Sequence, residues 1–264
     1  MLRLPERESG CHTQRVGVIV SKVALVTGSS RGLGLATAWA LGRAGNTVII
    51  SGRDGGRIES LAADLREEGL RAESLVLDVE SFESARCAAH ELANRHDRLD
   101  VLVNNAGVLP EATQPAEINF SHPSAAAKTF SVNTLGVLNV VEAMLPLIWR
   151  SAGGRIVNVS STMGSLADQK DVQSQYYSMV VPAYQASKAA VNSITIGLAK
   201  MLAGTTVKVT SVCPGHVQTD LAPGNRTQAP LTAEEAAAVV LRAATLPDDA
   251  ESGTFIDAAG PVRW

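Results

Sequence analysis

Tyr184 and Lys188 stand four residues apart in the run Tyr184-Gln185-Ala186-Ser187-Lys188. On a helix that spacing puts a phenol and an ammonium on one face. A free phenol titrates near ~10, too high for ready proton exchange at neutral pH, and a cation held beside it favours the phenolate. The pair is therefore a candidate general acid/base unit. A solvated Tyr and Lys on an amphipathic helix would show the same spacing, so the pair needs company to mean chemistry. The chain supplies it in order: a glycine-rich turn, an asparagine and a serine, all ahead of the pair.

The turn is Thr27-Gly28-Ser29-Ser30-Arg31-Gly32-Leu33-Gly34, directly after the apolar run that starts at Val23. Glycines there permit a tight turn and let the backbone approach a pyrophosphate. The helix that follows offers free N–H groups and the positive end of its dipole. The spacing differs from G-x-G-x-x-G, but the mechanics are the same. The next strand ends at Ser51-Gly52-Arg53-Asp54. In dinucleotide folds an acid at this tip binds the ribose 2′-hydroxyl, whereas an arginine accommodates a 2′-phosphate. Positions 51 and 52 carry no acid, Arg53 is available and Arg31 is a second cation, so the expected cofactor is NADP(H) rather than NAD. Asp54 reads as the N-cap of the following helix.

These residues need a frame. Short β-branched runs (Val23–Thr27, Thr47–Ile50, Glu73–Leu77, Val101–Val103, Arg155–Val159, Val207–Val212, Thr254–Ile256) alternate with helical patterns at Leu33–Ala44, Arg57–Glu68, Phe82–Arg95, Ala125–Trp149, Ala183–Ala203 and Ala233–Ala244. Several runs are apolar at consecutive positions, as strands buried on both faces are. The alternation predicts an α/β fold with a parallel sheet between two helix layers. The irregular stretches Leu109–Ser124, Asp168–Val181 and His216–Pro230 all follow strands, where ligands bind in such sheets.

The 264 residues, 45% of them hydrophobic, are enough for one large domain. The expected division is a flexible extension over 1–21 and a single domain over 22–264. A net charge of −3 gives no support for nucleic-acid binding. No run of about 18 apolar residues suggests a membrane span. Cys11, Cys87 and Cys213 match neither a zinc spacing nor a disulfide framework, so a cytoplasmic setting is expected. His12, His90, His96 and His122 show no ligand spacing and no metal is expected.

Taken together the motifs resemble the short-chain dehydrogenase/reductase family over about residues 22–264. Thr27–Gly34 is similar to its TGxxxGxG loop, Leu77-Asp78-Val79 to its adenine-contacting segment, and Asn104-Asn105-Ala106-Gly107 to its NNAG motif. Asn133 sits where the family carries a helix asparagine, Val159-Ser160-Ser161 matches its serine motif, and Tyr184–Lys188 its YxxxK motif. Cys213-Pro214-Gly215 with Thr219 matches its PG motif. Within the family, the C-terminal end from Leu246 to Trp264 and the long Ser161–Tyr184 interval are similar to the carbonyl reductase branch.

The resemblance implies a Rossmann-type, doubly wound, mostly parallel seven-stranded sheet and hydride transfer to a ketone or aldehyde. It implies Asn133, Ser161, Tyr184 and Lys188 as the catalytic set. Tyr184 handles the proton, Ser161 orients the substrate oxygen, Lys188 binds the nicotinamide ribose and lowers the Tyr184 pKa, and Asn133 holds a relay water. The implied cofactor contacts are Gly28, Ser30, Arg31, Gly32, Leu33, Gly34, Arg53, Asp78, Val79, Asn105, Ala106, Gly107, Tyr184, Lys188, Pro214, Gly215, Val217 and Thr219. Substrate is expected against Ser161, Met163, Tyr177 and Tyr184, with Leu109, Leu166 and Val181 completing an apolar wall. Ser160 is expected to bond structurally, and His216 to line the cleft without acting as a catalyst. An alcohol dehydrogenase run oxidatively, or a non-catalytic NADP-binding sensor, are the competing readings. Monomer and homodimer both remain open.

Overall fold

The structure is a computed structural model that describes residues 21–113 and 120–264. The expected N-terminal extension lies outside the described residues but for Ser21. Seven strands, β1 (Val23–Val26), β2 (Thr47–Gly52), β3 (Ala72–Val76), β4 (Val101–Asn104), β5 (Arg155–Val159), β6 (Lys208–Val212) and β7 (Thr254–Ile256), form one sheet in the order β3-β2-β1-β4-β5-β6-β7. Every pairing is parallel. The expected strands are all present, the largest difference being β2, which runs on to Gly52.

Alternation along the strands splits the core in two, because successive side chains point to opposite faces. Leu25, Leu102, Ile156 and Val209 face one layer, with α3 (Phe82–Arg95), α5 (Gly136–Ile148) and α7 (Pro182–Met201). Val26, Val103, Val157 and Val212 face the other, with α1 (Gly32–Arg43), α2 (Gly55–Glu67) and α9 (Ala233–Ala244). Each such Val or Leu, fully buried, contributes about 1.5–3 kcal/mol. Asp54 caps α2 by accepting from the Arg57 N–H at 3.0 Å, as expected. The short helices α6 (Leu166–Gln169) and α8 (Asn225–Gln228) lie within the stretches that precede α7 and α9.

The helix expected over Ala125–Trp149 is interrupted. α4 (Pro123–Phe130) runs into a π-helical turn at Ser131–Leu135 before α5 begins. A π turn inserts one residue into the helical repeat and commonly marks a functional position, and here it holds Asn133. By length and composition the whole span Pro123–Ile148 could cross a membrane, although polar residues interrupt its apolar runs. In the fold, 61% of its most apolar window is buried, as in a core helix.

Candidate active site

The carboxyl ends of β1, β4, β5 and β6 meet where the strand order reverses, between β1 and β4. The Thr27 hydroxyl accepts the backbone N–H groups of Asn105 and Ala106, each at 3.0 Å. Asn105 Nδ2 donates to the Thr27 carbonyl at 2.9 Å and the Gly28 carbonyl at 3.2 Å. This clasp joins the glycine turn to the β4 end and dictates two glycines. Gly28 has φ +63° and a Cβ there would lie 2.9 Å from Ala106 Cα; a Cβ on Gly34 would lie 2.5 Å from the Gly28 oxygen. Arg31, at the N-cap of α1, makes no side-chain cap bond, and the first residues of the helix line the cleft. That combination suits an anion.

The cleft has a volume of about 650 Å³. All eighteen residues expected at the cofactor line it, from Gly28 through Arg53 and Asp78 to Thr219. The sequence reading missed Glu80 and Lys128, which pair inside the cleft. Lys128 first, and then the Ser131 hydroxyl, hold the Glu80 carboxyl below its ordinary range against the opposing effect of burial. Glu80 directly follows the Leu77–Val79 segment, so position signalled it; Lys128 reaches in from α4 with no local signal. Across the mouth, Arg31 Nη1 lies 3.9 Å from Asp220 Oδ2, and Arg226 grips the same carboxylate with two nitrogens.

α7 presents Tyr184, Ser187 and Lys188, all buried. Lys188 Nζ donates to the Val159 carbonyl at 2.8 Å and lies 5.7 Å from the Tyr184 ring centroid. Ser161 caps the turn Thr162–Gly164 by accepting from the Met163 N–H at 3.2 Å, which fixes its hydroxyl at the β5 end. Ser160 Oγ donates to the Lys188 carbonyl at 3.2 Å, the structural bond expected of it. Asn133 does not line the cleft but sits just behind it. Its Oδ1 accepts from the Val108 N–H at 2.8 Å, and its Nδ2 donates to the Val108 carbonyl at 3.0 Å and to Ser187 Oγ at 3.1 Å.

Residues 22–230 match the short chain dehydrogenase family. The chain is 35% identical over 203 residues to the 3-oxoacyl-acyl-carrier-protein reductase of Aquifex aeolicus, covering 76% of this chain and 75% of that protein. It is 34% identical over 243 residues to sulfoacetaldehyde reductase 2 of Chromohalobacter salexigens, covering 86% and 90%. Its fold is similar to that of a short chain dehydrogenase from Escherichia coli CFT073 in complex with NADPH, with TM-score 0.78 and 26% identity over 90% of this chain and 96% of that one. The chain belongs to the short-chain dehydrogenase/reductase family. It is an oxidoreductase, and the glycine cradle, open helix N-terminus and neighbouring arginines fit the nicotinamide cofactor that the family uses.

In this short-chain dehydrogenase two expectations are corrected. Tyr177 is half exposed and is absent from the cleft wall; Tyr176 and Met179 line it instead. Leu109 and Met163 do form wall, whereas Leu166 and Val181 do not. The second correction is electrostatic. Burial is the dominant influence on the Tyr184 phenol and pushes its pKa up, reinforced by the Cys213 thiol and opposed by the neighbouring Ser161 hydroxyl. Burial also pushes the Lys188 ammonium down, to about 8. The expected lowering of Tyr184 by Lys188 does not appear, since burial outweighs the other influences on the phenol. His216 lines the cleft and its Nε2 lies 3.1 Å from Asn225 Oδ1.

Proposed function

We propose that the protein is an NADPH-dependent, carbonyl reductase-like enzyme that delivers a hydride to a ketone or aldehyde, with Tyr184 as the proton donor. The observation that carries this reading is the placement of the buried Tyr184 phenol beside Ser161 and Lys188 in the wall of a nucleotide-shaped cleft. A phenol placed where it can reach a substrate oxygen can serve as its general acid. When bound, the cofactor supplies the hydride. Tyr184 gives its proton to the substrate oxygen as negative charge grows there, and Ser161 donates a hydrogen bond to the same atom. Lys188, titrating near 8, is mostly charged at neutral pH and is the residue that would hold the nicotinamide ribose. Asn133, by holding both Val108 and Ser187, keeps the strand β4 exit and α7 in register.

Arg53 and Arg31 are the residues that would hold a 2′-phosphate. The relatives' names describe reduction of a 3-oxoacyl group and of an aldehyde, and the related fold holds NADPH, which supports both direction and cofactor. On the substrate side the wall is Leu109, Met163, Met179, Leu221 and Ala222, with Tyr176 and His216 as polar points. Of the lining cations, Arg31, Arg53 and Lys128 are assigned to the nucleotide end, and Lys188 lies beside Tyr184 with its Nζ turned to the Val159 carbonyl. An uncharged, apolar carbonyl compound suits that wall. The test is NADPH consumption with aromatic, aliphatic and small polar carbonyls, for wild type and Tyr184→Phe. We expect turnover fastest on apolar substrates and a loss of roughly hundredfold or more in the variant. Undiminished turnover by Tyr184→Phe removes the proposed acid; tight NADPH binding without any turnover points to a sensor.

A further inference from the structure

Glu111 is a buried carboxylate beside the cleft that the proposed reaction does not use. It sits in the short turn Pro110–Ala112 after β4 and is only 8% exposed. A buried carboxylate must be paired or hydrogen-bonded, and the bonds that Glu111 makes are informative. Its Oε2 accepts the backbone N–H of Tyr184 at 2.8 Å, and its Oε1 accepts the Ala183 N–H at 3.2 Å and the Ser121 hydroxyl at 3.1 Å. The helix α7 lacks a cap of its own. Val181, at its N-cap, makes no side-chain bond, and Pro182 opens the first turn. The free N–H groups and positive end of a 20-residue helix are thus met by an acid from 72 positions earlier. The residues flanking Glu111 face the other way, since Leu109, Pro110 and Thr113 line the cleft.

We propose that Glu111 is a positioning residue for Tyr184: by holding the backbone of the proton donor, it fixes the phenol against Ser161 and Lys188 and ties it to the cleft wall Leu109–Thr113. The inference rests on the reading of Tyr184 as the acid. Misplacement of a reacting group by about 1 Å costs on the order of a hundredfold in rate, so the effect of Glu111 belongs in kcat rather than in cofactor affinity. Ordinary capping would instead appear only as stability.

The experiment compares wild type, Glu111→Ala, Glu111→Gln and Tyr184→Phe in NADPH-dependent turnover, NADPH binding, thermal unfolding and the solvent deuterium isotope effect on kcat. In Glu111→Ala we expect kcat to fall roughly tenfold to hundredfold, NADPH binding to stay within about twofold, and the isotope effect to rise as proton delivery becomes more rate-limiting. Glu111→Gln, which keeps one acceptor, is expected to recover part of kcat. A lower unfolding temperature with kcat and isotope effect unchanged makes Glu111 a structural cap and overturns the proposal. If the alanine variant does not fold, Glu111→Leu, which fills the space without an acceptor, takes its place, and wild-type kcat there overturns it equally. Failure of the underlying reading shows separately, as an active Tyr184→Phe.

Discussion

Lys188 carries a charge into the interior at a cost, and that cost has a pH signature. Its folded pKa of about 8 lies below the ordinary 10.5 because burial disfavours the ammonium. Below pH 8 the lysine is protonated in both the folded and unfolded chain, so the penalty is present in full. As the pH rises from 8 toward 10.5 the folded lysine loses its proton while the unfolded one keeps it, and stability rises. Tyr184 titrates above this window, since burial raises it. Lys188→Met removes the term. Relative to that variant, the wild-type protein without cofactor should gain roughly 1–2 kcal/mol of unfolding free energy between pH 8 and about pH 9.5. Denaturant unfolding at the two pH values measures this. A difference that stays flat means that the ammonium is better solvated than its burial implies.

Three elements converge on this residue: β5 gives the carbonyl that holds it, the Thr162–Gly164 turn packs on its backbone, and α7 carries it. Gly164 is the contact between turn and helix. A Cβ there would lie 2.6 Å from the Lys188 carbonyl carbon and 2.8 Å from the Ala189 nitrogen, both backbone atoms that cannot swing aside. Gly164→Ala should therefore push the Ser161 turn off α7, costing about 1–3 kcal/mol of stability and lowering kcat while the protein remains folded. Urea unfolding and turnover on the same preparation separate the two effects, and wild-type kcat would show that the turn relaxes without moving Ser161. Contacts like this are where reading the sequence stops. Strands buried on both faces, such as β1 and β4, announce themselves by consecutive apolar residues, and the others, such as β3 and β6, followed from the regular alternation with helical patterns. The glycine turn and the Tyr184/Lys188 face followed from spacing. The π turn at Ser131–Leu135 was not legible, because one inserted residue barely disturbs an apolar helical pattern. Tyr176 rather than Tyr177 faces the cleft in a stretch with no period to say which side chain points inward. Glu111 had no local signal at all, since its partners lie on α7.

At the scale of the molecule, the cleft is spanned by charge. Arg31 on the glycine turn faces Asp220 on the segment after β6, and a Cβ on Gly32 would come within 3.1 Å of Thr219 from that same segment. The two sides of the cleft are therefore already in contact. Arg31 shares its acid with Arg226, whereas Arg53 forms no ion pair among the described residues and exerts its influence on Glu80 from a distance. Arg53 is thus the cation with charge to spare for a 2′-phosphate, and Arg31 is partly committed to the mouth of the cleft. Arg53→Ala should weaken NADPH binding roughly tenfold to hundredfold, the range of a hydrogen bond to a charged group, and leave NADH almost untouched. Asp220→Asn releases Arg31 and should tighten NADPH by about two- to fivefold, the worth of an exposed ion pair, with the gain fading as salt is raised. Titrating both nucleotides against both variants by quenching of protein fluorescence reads these shifts. An equal loss for NADH and NADPH in Arg53→Ala would move the phosphate to Arg31, and Asp220→Asn would then show the larger effect.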